Sequence, residues 1–238
     1  MTSDNKSDDT SDDKSAGGMF DKRNFLIAGI AVLAVGLAAV AYITSTPGEK
    51  SEPSAVESSG DGLMAKGPLE ENILGAVDAP VTIIEYSSMT CPHCATFHKQ
   101  TLPALKKKYI ETGKVRYIIR EFPLDNLALA AFMLARCAGP KKYFPLVEEL
   151  YAQQKNWAFG EGNRRTELLK MAKHAGFTEE SFDKCLADQK LIDGLRWVKD
   201  RGNEKFEVNS TPTFFVNGEK LKGSQKFSAF EKVIEPLL

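Results

Sequence analysis

Two cysteines separated by two residues form the motif with the clearest chemistry, Cys91-Pro92-His93-Cys94. The motif directly follows the apolar run VTIIEYS (81–87), which predicts a buried strand, and it opens a helical pattern. Pro92 fits the first helical position, where the missing N–H of proline costs nothing. Cys91 is then the N-cap, and Cys94 lies on the same helix face, close enough for an S–S bond.

This position favours a thiolate on Cys91, because helix N-terminal amides and the helix dipole stabilise negative charge. His93 adds to the effect if it is protonated or donates a hydrogen bond. A stabilised thiolate is a good leaving group, so a Cys91–Cys94 disulfide would be easily reduced and therefore oxidising. The motif predicts thiol–disulfide exchange.

Two other interpretations of the motif are open. A zinc site would need two further ligands, and only His98, His174 and two remote cysteines are available. An inert structural disulfide is also possible, but a four-residue loop gains little stability from closure. The placement of the cysteine pair between a strand and a helix favours redox activity over both.

The elements around the motif predict one α/β domain. A helix over 92–112, kinked near Pro103, and a strand over 114–121 complete a βαβ unit with the first strand. Helical patterns follow over about 125–138, 142–155, 164–175, 178–187 and 189–206. The chain then predicts a strand over 213–216, a hairpin turn at Asn217-Gly218, a strand over 219–222 and a last helix over about 228–237.

This order of elements, with Cys-Pro-His-Cys and the later stretch Ser210-Thr211-Pro212-Thr213-Phe214-Phe215-Val216-Asn217-Gly218, resembles the DsbA family of thioredoxin-fold oxidases. The resemblance covers roughly residues 68–238. It implies a thioredoxin-like domain over 67–238, with an all-helical insertion at about 123–209. It also implies that Pro212 is cis and lies against the cysteines, and that the backbone of Thr211 pairs with an extended substrate.

Glu85, six residues before Cys91, matches the buried acid that this family holds beneath its disulfide. The resemblance implies that Glu85 transfers a proton to or from Cys94. An equally weighted alternative is a strand glutamate that pairs with Arg116 or Arg120.

Cys137 and Cys185 fall on separate helical patterns of the insertion. Four cysteines allow three pairings, and the simple chemistry is a structural Cys137–Cys185 disulfide, as in some family members. A second redox-active pair is the alternative, which the absence of a Cys-x-x-Cys loop disfavours.

Other polar and aromatic side chains of the domain have ordinary explanations. His98, His174 and the run Lys106-Lys107-Lys108 predict a solvated helix face. The aromatic residues of the insertion are predicted to be mostly core. Trp157 and Phe159 stand among polar residues and glycines, so the alternative is that they line a peptide groove.

The rest of the chain predicts a membrane tether. The 238 residues carry 31 Lys and Arg against 32 Asp and Glu, which gives no basic excess for nucleic-acid binding. The composition of residues 1–23 predicts a disordered arm. Residues 24–43 carry no charge and are long enough to span a bilayer, and the composition of residues 44–66 predicts a flexible linker. Lys22 and Arg23 place the arm in the cytoplasm by the positive-inside rule. The alternative is a cleaved signal peptide, with Ala39-Val40-Ala41 as the cleavage site.

Together these features predict a thiol:disulfide oxidoreductase in the inner membrane, with one span and a catalytic domain facing the periplasm. It would donate disulfides to cysteine-containing proteins and need no metal or other cofactor. The family resemblance implies re-oxidation by a DsbB-like membrane oxidase. An isomerase or reductase using the same site is one alternative, and a non-catalytic thioredoxin-fold chaperone or metal carrier is another.

Overall fold

The structure is a computed structural model that describes residues 62–238. The predicted arm, membrane span, cleavage site and most of the linker lie outside the described residues. Within residues 62–238, no helix has the length and apolarity that crossing a bilayer requires.

A five-stranded sheet forms the centre of the domain. Its strands in chain order are β1 Asn72–Leu74, β2 Val81–Ser87, β3 Val115–Glu121, β4 Thr213–Val216 and β5 Glu219–Lys222. They lie in the order β1-β3-β2-β4-β5, with β2 and β3 parallel and the other pairs antiparallel. The predicted βαβ unit and the predicted β4–β5 hairpin are confirmed. The sequence missed β1, because three residues are too few to show a periodicity.

The helix after the motif is interrupted, unlike the single kinked helix that the sequence predicts. Helix α1 runs over Pro92–Gln100, α2 over Leu102–Leu105, and a π-helical turn follows over Lys106–Ile110. Thr101 separates α1 from α2. Pro103 supplies the physical reason, since it has no N–H to donate and its ring collides with the carbonyl four residues earlier.

The predicted helical insertion lies between β3 and β4 and is confirmed. It contains α3 Asn126–Cys137, α4 Pro140–Ala152, α5 Gln154–Phe159, α6 Arg164–His174, α7 Glu179–Leu186 and α8 Gln189–Phe206. The single helical pattern predicted over 142–155 is wrong, because Gln153 separates α4 from α5. Side chains of Asp125, Asn163, Thr178 and Asp188 cap α3, α6, α7 and α8 by accepting from backbone amides. Helix α9 runs over Phe227–Ile234, before a 3-10 turn at Glu235–Leu237.

Both faces of the sheet are buried, and the alternation of β2 decides which side chains face the cysteines. Ile83 belongs to the main core, which also includes α1 and the insertion, whereas Ile84 and Tyr86 belong to a smaller core on the opposite face. Because side chains alternate along a strand, Glu85 points to the same face as Ile83. The strand therefore directs a carboxyl group toward the helix that carries the cysteine pair.

Candidate active site

The structure places Cys91 at the N-cap of α1, with Pro92 at the first helical position. The Cys91 thiol donates a hydrogen bond to the carbonyl oxygen of Thr211 at 3.2 Å. The peptide bond between Thr211 and Pro212 is cis. The loop before β4 thus lies directly against the first cysteine, although it is 120 residues away in the chain.

Cys94 lies one turn along α1 and is fully buried. Neither Cys91 nor Cys94 is in a disulfide in this structure, so the site is in its dithiol form. The environment lowers the pKa of Cys91 to about 5, first through a hydrogen bond from the Cys94 thiol and further through the amides of His93 and Cys94, while desolvation opposes the shift. Burial raises the pKa of Cys94 well above its usual value. The two thiols therefore differ strongly in acidity, as disulfide exchange by one nucleophile requires.

His93 acts on Cys91 through its main chain. Its side chain is exposed on the first turn of α1, and its amide is one of the groups that lower the Cys91 pKa. The side-chain effect expected from the sequence stays a prediction.

Glu85 is fully buried beneath α1. Its Oε1 accepts a hydrogen bond from Ser87 Oγ at 2.7 Å, and its Oε2 lies 3.0 Å from His98 Nε2 and accepts from the Tyr117 hydroxyl. The negative charge of Glu85 also contributes to the raised pKa of Cys94. The carboxyl group is thus surrounded by groups that can exchange protons.

The alternative partners of Glu85, Arg116 and Arg120, are wrong. Arg116 donates to Thr82 Oγ1 at 2.6 Å, and Arg120 donates to Glu71 Oε1 at 2.9 Å. The register of β2 with β3 sets Arg120 beside Tyr86, on the face opposite to Glu85. Since side chains alternate along β3, Arg116 shares that face.

The fold and this site are those of known relatives. A family model described as thioredoxin matches residues 69–236. The crystal structure of alpha-DsbA1 from Wolbachia pipientis has 32% sequence identity and a TM-score of 0.66, and the match covers 71% of this chain and 90% of that one. The chain belongs to the thioredoxin family, in its DsbA group. BdbD from Bacillus subtilis, 21% identical with a TM-score of 0.63 over 70% of this chain and 92% of its own, shares the fold.

Curated relatives from Rickettsia are named as candidate protein-disulfide oxidoreductases. The protein from Rickettsia bellii is 37% identical over 174 residues, which are 70% of this chain and 66% of the relative. The protein from Rickettsia typhi is 38% identical over 148 residues, which are 61% of this chain and 54% of the relative. The chain therefore spans between about half and two thirds of the length of these relatives.

His98 is part of the buried site of this DsbA-family chain, which corrects the prediction of a solvated helix face. Its ring packs against Tyr151 with 4.2 Å between ring centroids, and its Nε2 contacts Glu85. His98 lies four residues after Cys94, so the two side chains share one face of α1. That spacing is a local signal, but by itself it does not show which face of α1 is buried. The prediction does hold for His174, Lys107 and Lys108, which are exposed.

Gln154 is a site residue that the sequence did not reveal. Its side chain is buried, and its Nε2 donates to the carbonyl oxygens of Met89 at 2.8 Å and Cys91 at 2.9 Å. Helix α5 thereby holds the backbone on both sides of Thr90 in place. No local pattern marks this role, because the partners are more than sixty residues away.

The two aromatic residues considered for a peptide groove, Trp157 and Phe159, have different environments in the structure. Trp157 is buried in the core, which confirms the predicted core position and excludes the groove alternative, and its Nε1 donates to the carbonyl of Leu150 at 2.7 Å. Phe159, at the end of α5, is 55% exposed and remains available to contact a peptide.

The other two cysteines form a disulfide that links α3 to α7. The S–S distance between Cys137 and Cys185 is 2.19 Å and their Cα atoms are 6.2 Å apart. Across residues 62–238, no group of three or more His, Cys, Asp and Glu side chains is placed to hold a metal ion.

Proposed function

We propose that this DsbA-family chain is a thiol:disulfide oxidoreductase that transfers its Cys91–Cys94 disulfide to cysteine-containing substrate proteins. The observation that carries the proposal is the opposite behaviour of the two thiols. The pKa of Cys91 is lowered to about 5, whereas burial raises that of Cys94. A stabilised Cys91 thiolate lowers the free energy of the reduced dithiol form relative to the disulfide form. The disulfide form is therefore an oxidant.

The reaction follows from that asymmetry. A substrate thiolate attacks Cys91 Sγ, the Cys91–Cys94 bond breaks, and Cys94 leaves and takes up a proton. A second substrate thiolate then attacks the substrate sulfur of the mixed disulfide. Cys91 leaves as its stabilised thiolate, the substrate gains a disulfide, and the chain is left reduced.

Several residues have defined parts in this proposal. Cys91 provides the sulfur that exchanges with substrate, and Cys94 is its buried partner. Glu85 is the acid that transfers a proton to or from Cys94. Pro92 starts α1 without an unsatisfied amide, and Thr211 and Pro212 present the loop on which an extended substrate pairs. Since the transfer leaves the chain reduced, an oxidant must regenerate it, and we propose a DsbB-like membrane oxidase.

The redox equilibrium of the purified full-length chain with glutathione tests the function. We expect a reduction potential well above that of thioredoxin, which is about −270 mV. A potential near the thioredoxin value would assign the site to a reductase. Efficient rearrangement of a scrambled disulfide protein, without net oxidation of a reduced one, would instead indicate an isomerase. A chaperone or metal carrier would keep its function in a Cys91→Ala variant.

We also propose that residues 24–43 anchor the chain in the inner membrane, with the catalytic domain on the periplasmic side. The uncharged stretch of about 30 Å and the basic Lys22-Arg23 pair before it support this orientation. Protease added to spheroplasts should digest the domain while residues 1–23 stay protected. A mature N-terminus just after Ala41 would establish a cleaved signal peptide instead.

A further inference from the structure

His98 combines two features that a purely structural histidine does not need. Its side chain is 2% exposed, and although Nε2 contacts Glu85, the buried Nδ1 has no hydrogen-bond partner. Leaving a buried polar atom unpaired is costly, so such an atom calls for an explanation. His98 also lines a cavity of about 260 Å³ with Leu102, Pro103, Lys106, Glu111 and Glu148. The imidazole therefore lies between the buried carboxyl group and a cavity.

A line of exchangeable groups leads from Cys94 to this imidazole. Ser87 is within hydrogen-bonding reach of the Cys94 thiol, and its hydroxyl donates to Glu85 Oε1 at 2.7 Å. The other oxygen of Glu85 lies 3.0 Å from His98 Nε2. The Ser87–Glu85 and Glu85–His98 pairs are within hydrogen-bonding distance, as proton transfer requires. Because Cys94 is fully buried, its proton needs a route of this kind to reach solvent.

We propose that His98 is the outer member of a proton relay, Cys94–Ser87–Glu85–His98, that exchanges the proton of the buried thiol with the cavity. This inference rests on the proposed function, since it assigns a further residue to the same thiol chemistry. His98 acts on Cys94 through Glu85 and Ser87, so it is a positioning and proton-carrying residue and does not contact substrate.

The relay accounts for every proton when the disulfide closes. In a mixed disulfide of Cys91 with a small thiol, the Cys94 proton moves to Ser87 and the Ser87 proton to Glu85 Oε1. The Glu85 carboxyl group, now protonated, turns and gives that proton to His98 Nε2, and His98 Nδ1 releases one toward the cavity. The Cys94 thiolate attacks Cys91 Sγ, the Cys91–Cys94 bond forms, and the small thiol leaves as a thiolate. The transfer runs in reverse when a substrate opens the disulfide.

Titratable groups on several elements face this imidazole. Glu85 contacts it from the sheet, and Tyr117 donates to the same oxygen of Glu85, while Tyr151 packs against the imidazole from α4. At the cavity, Lys106 Nζ and Glu148 Oε1 form an ion pair at 2.9 Å, and Glu111 is a further lining residue. Since the charges of Lys106 and Glu148 compensate each other, the cavity beside His98 does not strongly repel a proton.

The decisive test uses His98→Gln, because glutamine can keep a hydrogen bond to Glu85 and yet cannot carry a proton. The reduced full-length chain is mixed with glutathione disulfide, quenched with acid and analysed by mass for the mixed disulfide on Cys91. We expect unchanged formation of the mixed disulfide and about 10²-fold slower closure at pH 7. Added imidazole should restore part of the closure rate. The matched control is His174→Gln, at an exposed histidine outside the site, and it should close at the wild-type rate.

Closure by His98→Gln at the wild-type rate from pH 5 to 8 would overturn the relay. An equal slowing of both steps would do the same, since it would indicate a structural role. If His98→Gln does not fold, the closure rate of the wild-type chain is compared in D2O and H2O instead. Equal rates in the two solvents would exclude a rate-limiting proton relay. The equilibrium with glutathione tests the proposed function separately. A proton relay changes the rates of exchange and does not change the reduction potential of the Cys91–Cys94 pair.

Discussion

Two regions of the domain each hold a cysteine pair and a fully buried glutamate. One contains the Cys91–Cys94 pair with Glu85, and the other contains the Cys137–Cys185 pair with Glu121. Cys91 and Cys94 share the first turn of α1 as free thiols, whereas Cys137 and Cys185 join two helices 48 residues apart in a disulfide. Only the first pair has a sulfur at a helix N-terminus, where amides favour a thiolate. Reactivity thus follows from the position of a cysteine on its helix, and stabilisation follows from the length of the closed loop.

The two glutamates show the same contrast. Glu121 receives two hydrogen bonds from Arg136, at 2.6 and 2.9 Å, and a third from the Tyr143 hydroxyl at 2.9 Å. Arginine does not lose its proton in proteins, so this carboxylate always has a cation beside it. Glu85 has hydroxyl and imidazole partners, which can gain or lose a proton. A buried carboxylate next to a guanidinium serves structure, while one next to titratable groups suits proton transfer.

The strongest test of this contrast removes the nucleophilic sulfur of the reactive pair, Cys91. Cys91→Ala should reduce disulfide transfer to a dithiol peptide to the uncatalysed rate, because no other thiol is placed to exchange with substrate. Thermal unfolding should change little below about pH 5, where the Cys91 thiolate adds no stability, since no large apolar contact is lost. Substantial transfer by Cys91→Ala would mean that the Cys137–Cys185 pair is also reactive.

Breaking the second region should affect stability and leave exchange intact. Arg136→Ala leaves the Glu121 carboxylate buried without its cation, and we expect a loss of about 3–5 kcal/mol in the free energy of unfolding. Urea denaturation of the full-length chain measures it. Arg165, whose ion pairs are exposed, is the control, and Arg165→Ala should cost less than about 1 kcal/mol. Equal losses in both variants would contradict the structural assignment of Glu121.

The second cysteine pair should contribute stability alone. The double variant Cys137→Ala/Cys185→Ala opens a 48-residue loop, and the chain-entropy description gives about 4 kcal/mol as the upper value for the lost stability. Urea denaturation measures this loss, while glutathione exchange at Cys91 should stay at the wild-type rate. A large change in that rate would show that the two regions are coupled.

The pH dependence of alkylation distinguishes the thiols. In the reduced site, the rate at Cys91 should be half-maximal near pH 5, because the thiolate is the nucleophile and the pKa of Cys91 is about 5. At pH 7 Cys91 should react faster than a cysteine of ordinary pKa, by less than the roughly 100-fold ratio of their thiolate fractions, because the nucleophilicity of a thiolate falls with its pKa. Iodoacetamide labelling followed by mass spectrometry measures both. A midpoint near 9.0, the ordinary value for cysteine, would remove the basis for an oxidising site.

The same shift has a consequence for stability. Because the folded pKa of Cys91 lies below the unfolded one, its deprotonation stabilises the reduced folded chain. This contribution is complete above about pH 9 and is lost as the pH falls through about 5. Unfolding of the reduced chain over this range provides an independent check.

The smallest expected effect concerns the link between the insertion and the reactive pair. Gln154→Ala leaves the buried carbonyls of Met89 and Cys91 without their side-chain donor, which should cost about 1–3 kcal/mol. Its neighbour Gln153 donates only a single, partly exposed bond to Glu149, so Gln153→Ala is the matched control. Equal unfolding midpoints for the two variants would exclude a positioning role for Gln154.

The sequence by itself determined the local features of this protein. The strand β2, the N-cap position of Cys91, the β4–β5 hairpin and the helical insertion all depend on residues close together in the chain. Short-range periodicity, proline geometry and turn residues are sufficient to predict such features. The βαβ order added the topology, since parallel neighbours require a crossover.

Only the tertiary structure decided which side chains meet across the domain. The strand register turned Arg116 and Arg120 away from Glu85, and packing against Tyr151 buried a histidine that a local pattern places on a solvated face. The split between α4 and α5 directed Gln154 to the cysteine loop. These outcomes depend on register and packing between residues far apart in the chain, and no local pattern contains that information.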